Sequence, residues 1–118
     1  MAFYETVFIL RQDLTAPQVE ESLKLFRGIV ESGKGMVLKE ENWGLRPLAY
    51  KISKNRKGHY LLIESDAPSA AIVELERRLG LSENVLRFMT VRLDEPTKEQ
   101  SAILRDKDTK EVGNGIRG

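Results

Sequence analysis

Between residues 3 and 93 the chain alternates strand-like and helix-like apolar patterns, and the order of that alternation leaves few folds open. Phe3 to Leu10 is aromatic and β-branched with Glu5 as its one charge, which predicts a strand. Thr15 then offers an N-cap, Pro17 sits in the first turn, and Gln18 completes a Thr-x-x-Gln capping box. Val19, Leu23, Phe26 and Val30 recur at helical spacing, Glu20, Lys24, Arg27 and Glu31 take the other side, and Gly33 and Gly35 read as the stop. Met36 to Ile52 is a long extended stretch in which Pro47 removes a ladder donor, so it belongs at a sheet edge or carries a bulge. Ser53 to Gly58 reads as a polar loop and His59 to Ser65 as a third strand. Asp66 reads as the cap of a second helix, with Pro68 near its start, Ile72, Leu75 and Leu79 as its stripe, Glu74 facing Arg78, and Gly80 at its end. Val85 to Leu93 closes the series as a fourth strand.

The order β-α-β-β-α-β predicts an α+β chain of the split βαβ, ferredoxin-like kind: a four-stranded antiparallel sheet with two helices on one face. Right-handed crossovers put the first and third strands in the middle and the second and fourth at the edges. One domain, residues 1–93, accounts for this pattern. Beyond it, residues 94–118 hold six acidic and five basic residues with few large apolar ones, so a charged, disordered tail is expected there.

Two helices cover one face of such a sheet, yet the strands are apolar on both. Phe8 and Leu10 alternate with Phe3, Val7 and Ile9 in the first strand, and Leu61 and Ile63 with Tyr60 and Leu62 in the third. In the fourth, Met89, Val91 and Leu93 oppose Leu86, Phe88, Thr90 and Arg92. The expectation is an apolar second face free for a partner, unless the tail or the twist of the sheet covers it. Trp43 and Leu45, set among Lys39, Glu40, Glu41 and Arg46 on the edge strand, extend that surface unless Trp43 is simply a core residue.

Net charge is +1, so composition alone does not call for nucleic acid, and the case rests on how the charge is distributed. From residue 46 to residue 59 the chain carries Arg46, Lys51, Lys54, Arg56 and Lys57 and no acidic residue, beside Ser53 and Asn55 as polar donors. Cations on a hairpin suit phosphate contact, and Tyr50, His59 and Tyr60 beside them suit stacking on unpaired bases; the alternative is a merely solvated turn. The stretch from Lys57 to Glu64 matches the third-strand signature of common single-strand RNA-recognition motifs in its first two places only, with Leu61 at the key stacking place and Glu64 at its end, and that reading is rejected. Absence of cysteine excludes disulfides, thiolate metal sites and cysteine nucleophiles, and the single His59 leaves zinc chemistry without ligands. No apolar run reaches membrane-spanning length, so a cytoplasmic protein with no membrane partner is expected.

Tyr4-Glu5 in the first strand, Trp43-Gly44-Leu45-Arg46-Pro47-Leu48-Ala49-Tyr50 in the second, and Asn84-Val85-Leu86-Arg87 opening the last resemble the bacterial small-subunit ribosomal protein six family. The resemblance spans residues 1–93, with Gly-x-Arg-x-Leu-Ala-Tyr as its specific part. It implies a structural component of the small ribosomal subunit, with no catalysis, cofactor, metal or small-molecule substrate. It further implies binding to the platform region of small-subunit ribosomal RNA, as a heterodimer with small-subunit ribosomal protein eighteen. The RNA-binding residues expected are Arg46, Lys51, Lys54, Arg56, Lys57, His59, Arg87 and Arg92, and the partner-binding residues Trp43, Leu45, Leu48, Tyr50 and Tyr60. The alternatives are an acylphosphatase-like hydrolase, for which Arg11 is placed but Gln12, Asp13 and Leu14 provide no glycine-rich anion cradle, and a free-standing regulatory module that binds a small ligand.

Overall fold

The computed structural model describes residues 2–52 and 54–95. Its elements are β1 (Ala2–Arg11), α1 (Ala16–Ser32), β2 (Met36–Ile52), β3 (Asn55–Ala67), α2 (Ser69–Leu81) and β4 (Val85–Leu93). The four strands form one antiparallel sheet in the order β2-β3-β1-β4, so β2 and β4 are its edges, as the crossover rule predicts. Of the residues assigned to the charged tail, those from 96 onward lie outside the described residues.

Both helices pack on one face. Val19, Leu23, Phe26, Ile29 and Val30 of α1 and Ala71, Ile72, Leu75 and Leu79 of α2 close over Phe8, Leu10, Leu61 and Ile63. Phe8 meets Phe26 edge to face, with ring centroids 5.2 Å apart. The capping box at Thr15 forms as the sequence predicts: Gln18 Oε1 accepts the Thr15 N–H at 2.8 Å, and Thr15 Oγ1 accepts the Gln18 N–H at 3.4 Å. Arg27 on α1 reaches the Glu40 carboxylate on β2 at 2.8 Å, tying helix to edge strand. On α2, Glu74 pairs with Arg78 and also with Arg77, whose side-chain hydrogen bonds hold the carboxyl down at about 2.

One local expectation holds, the stop of α1 at Gly33, and three are corrected. Gly33 caps α1 with an ordinary φ of −85°, while Lys34 takes the left-handed turn at φ 73°. A Cβ on Gly33 would stand 2.6 Å from that of Ala71, so helix–helix contact accounts for the glycine. Asp66 does not cap α2: it continues β3, opposite Phe3 and Met36, and Pro68 stands at the N-cap with no side-chain hydrogen bond. Nor does Gly80 end α2, which runs to Leu81, because the Ser82 N–H still finds the Arg78 carbonyl at 3.1 Å. Finally, the segment assigned to a loop over 53–58 is strand from Asn55 onward.

The second face is also corrected. Its centre is not an exposed apolar patch: Val7, Ile9, Tyr60 and Leu62 are all buried there, with Trp43, Leu48 and Leu86 against them. Two bulges make this possible. Between Asn42 and Gly44 the β2 register slips by one, with Gly44 at φ 80° and its N–H on Asn42 Oδ1, and the extra residue, Trp43, turns onto the second face. In β4 the slip lies between Arg87 and Val85, so Leu86 joins Val7 and Ile9 while Val85 and Phe88 stay with the helices. Strict alternation puts Leu86 and Phe88 together, and the bulge separates them.

Gly58 is packed closely against β1 on the second face. A Cβ there would lie 2.3 Å from Ile9 Cγ2 and 3.1 Å from the Leu10 carbonyl oxygen, neither of which can swing away. Gly58→Ala is expected to cost about 1–3 kcal/mol of unfolding free energy, the usual range for overpacking, measurable by chemical denaturation. A cost under about 0.5 kcal/mol would mean that β1 and β3 separate more easily than this packing allows.

Candidate nucleic-acid interface

The expected cations gather at one end of the sheet because β2 and β3 outrun β1. Pairing of β1 with β3 ends at Arg11 opposite Gly58, and pairing of β2 with β3 continues through Arg46–Gly58 and Pro47–Lys57 to Ile52–Asn55. The overhang is a two-stranded arm carrying Arg46, Lys51, Lys54, Arg56 and Lys57. Lys51, Lys54, Arg56 and Lys57 are exposed, and among the described residues none of the four forms an ion pair. Elsewhere Arg11, Arg27, Lys39, Arg77 and Arg78 each have a carboxylate partner. Arg56 and Lys57, successive in β3, leave on opposite sides of the arm. Positive charge is therefore offered on both of its surfaces.

Two further cations are held by aromatic rings. The Arg46 guanidinium lies over Trp43 at 4.4 Å from the ring centroid, and the Trp43 indole N–H donates to Glu41 Oε1 at 2.7 Å. Arg87 on β4 donates to the Tyr50 hydroxyl at 2.6 Å, with its guanidinium 5.2 Å from the centre of that ring. Tyr50 and Arg87 were expected in separate sets, one for a protein partner and one for RNA. The structure joins them into a latch between the arm and the far edge strand.

The remaining expected residues divide. Arg92 pairs with Tyr4, five residues along β1 from the Ile9–Arg87 pair, so roughly 17 Å separates it from the arm's end of the sheet. His59 lies between Leu10 and Leu45, on the helix side of β3, and its Nε2 is buried without a hydrogen-bond partner among the described residues. Tyr60 is 3% exposed within the second-face cluster, and Leu48 packs partly against it. Leu45 and Tyr50 remain open, at 47% and 59% exposure, with Leu38 at 40% further along the same edge strand. Leu38 and Leu45 therefore leave exposed apolar surface on β2, while the Tyr50 side chain is turned toward Arg87 of β4.

Two residues at the root of the arm escape a reading of the sequence. Gln12 Oε1 accepts the N–H groups of Arg56 and Lys57 at 3.3 and 3.2 Å, and the Gln12 N–H donates to Asn55 Oδ1 at 3.0 Å. Asn55 is 8% exposed, so its side chain is turned inward and is not a free donor for phosphate. The partners stand more than forty positions apart, and neither residue type nor spacing signals the contact. Among the described residues no group of three or more His, Asp or Glu is placed to hold a metal ion, and no helix is long and apolar enough to cross a membrane.

Residues 3–92 match the family model described as Ribosomal protein S6. A small ribosomal subunit protein bS6 of Bartonella bacilliformis is 53% identical over 108 residues, covering 92% of this chain and 79% of the relative. One from Methylobacterium sp. (strain 4-46) is 47% identical over 118 residues, covering 100% and 88%. Among solved structures, that of the 30S ribosomal protein S6 from Thermotoga maritima superposes with a TM-score of 0.74 at 25% identity, covering 98% of each chain.

Proposed function

The chain belongs to the ribosomal protein S6 family, and on that premise we propose that its β2–β3 arm binds small-subunit ribosomal RNA while the outer edge of β2 pairs with small-subunit ribosomal protein eighteen. Family membership makes it a structural component of the small ribosomal subunit, in the bacterial cytoplasm, and not an enzyme. The observation that carries the RNA reading is the arm itself: four exposed cations, Lys51, Lys54, Arg56 and Lys57, without ion-pair partners among the described residues. Phosphate oxygens complement such charges, and each phosphate neutralised releases condensed counterions, so binding of this kind weakens steeply with salt. Long flexible side chains on an overhanging arm suit backbone contact and not bidentate reading of base edges. For the protein partner, the exposed Leu38 and Leu45 lie on an edge strand whose outer side has no neighbouring strand among the described residues.

Lys54 separates stability from binding. It stands in the left-handed region at φ 71°, where a side chain is strained and glycine is not. Lys54→Gly is therefore expected to leave the unfolding free energy unchanged or raise it by about 0.5 kcal/mol, since relief of strain and the entropy of glycine oppose one another. The same change is expected to reduce the slope of log affinity against log salt by roughly 0.7–0.9, the loss of one phosphate contact. Titration of small-subunit ribosomal RNA across a salt series, beside a denaturation curve, tests both. A full slope in Lys54→Gly would remove this lysine from the interface. Capture of protein eighteen by the full chain, with and without nuclease, tests the second half: direct pairing survives nuclease, and a partner held only through RNA is lost.

A further inference from the structure

We propose that Gln12 and Asn55 are positioning residues for the RNA interface, a reciprocal clasp that holds the cationic arm in its binding geometry. This rests on the reading of the arm as the phosphate-binding element. The arm needs such a device because its own pairing is weak. Beyond Gly58 it has no β1 neighbour, and its β2–β3 ladder is irregular from Pro47 to Ile52. A two-stranded ribbon of that length is marginally stable in water.

The clasp supplies what the ladder lacks. Arg11 is the last residue of β1 to pair with β3, and Gln12 follows it directly. Through Oε1, its side chain serves the N–H groups of Arg56 and Lys57, in effect lengthening β1 by one acceptor. Asn55 answers by accepting the Gln12 N–H, and its Nδ2 donates to the Ile52 carbonyl at 3.3 Å, which closes the turn of the arm. Each side chain thus satisfies the other segment's backbone. The two amides so fixed belong to the residues whose cationic side chains leave on opposite sides of the arm. An arm fixed before binding has less conformational freedom to lose when RNA engages it, and an unclasped arm binds in proportion to the fraction of time it holds the same shape.

The test uses the full chain, small-subunit ribosomal RNA as probe, and three variants. Gln12→Met keeps the length of the side chain but removes the acceptor. Gln12→Glu keeps the acceptor. Arg56→Ala with Lys57→Ala removes the charges and leaves the clasp. For Gln12→Met, affinity per folded molecule is expected to fall about 5- to 30-fold at every salt concentration, the scale of two hydrogen bonds, with the salt slope unchanged because the same phosphates are neutralised once bound. Amide exchange at Arg56 and Lys57 in the free protein is expected to accelerate in Gln12→Met and to return to the parent rate in Gln12→Glu. The charge variant is expected to do the opposite: a flatter slope with amide exchange at neighbouring positions unaltered. If Gln12→Met binds as the parent does while the charge variant flattens the slope, the clasp has no part in binding and the proposal fails alone. If Gln12→Met flattens the slope itself, Gln12 acts on the contacts and not on their placement, which also overturns it. If the charge variant leaves both affinity and slope unchanged, the arm is not the RNA-binding element, and the reading beneath the proposal fails with it.

Discussion

Lys54→Gly, Arg56→Ala and Lys57→Ala combined are expected to flatten the salt dependence of RNA binding by about two to three units of slope, the largest functional effect that this structure predicts. Three phosphate contacts at roughly 0.7–0.9 each set that figure. Between 50 and 200 mM salt, the parent is then expected to lose about 20- to 40-fold more affinity than the variant does. Folding is expected to persist, because none of the three side chains makes an ion pair among the described residues and exposed charges contribute little to stability. Affinity for small-subunit ribosomal RNA and for an unrelated RNA is expected to fall together, since phosphates carry no sequence information. The measurement is a salt series with protein eighteen held saturating. An unchanged slope would move the RNA contact off the arm, and Arg87 and Arg92 are the next cations to test.

Trp43→Ala is the second large effect, and it is an effect on folding. The indole lies against the cluster of Val7, Ile9, Tyr60 and Leu62, donates to Glu41 and carries the Arg46 guanidinium on its ring. Truncation removes all three contacts and opens a void on the sheet, at a cost of about 3 kcal/mol in denaturant unfolding. Leu45 is the contrasting case. Two residues on in β2 and 47% exposed, it is expected to accept Leu45→Glu with a stability change within about 0.5 kcal/mol, while binding to protein eighteen weakens about tenfold or more. The pair of variants separates support of the sheet, at Trp43, from binding of the proposed partner, at Leu45. Were Trp43→Ala to keep full stability and lose pairing, the tryptophan would belong to the interface after all.

Much of this is legible in the sequence. The order of elements, the capping box at Thr15 and Gln18, the bounds of β2 and β4, the edge position of the proline-bearing strand and the acid-free run from residue 46 to residue 59 are all local facts. Hydrophobic period, capping chemistry and the handedness of crossovers act within or between neighbouring elements, so a sequence shows them directly. Asp66 is the instructive local error. An aspartate before Pro68 has the residue chemistry of a cap, but Asp66 still stands in register between two strands, opposite Phe3 and Met36, and so the strand continues.

What the sequence determined by itself, then, was the succession of elements and the place where positive charge accumulates. The tertiary structure decided which face each side chain joins once a bulge has shifted the count, as Trp43 and Leu86 show. It also decided which polar groups are already engaged: Asn55 with Gln12, Arg87 with Tyr50, and Arg46 with Trp43. The physical reason is one of range. A strand's alternation is set by its own backbone, but a one-residue slip inverts everything beyond it, and whether that slip is stable depends on the strand alongside. Hydrogen bonds between residues 37 to 45 positions apart likewise form only after the sheet has brought those backbones together.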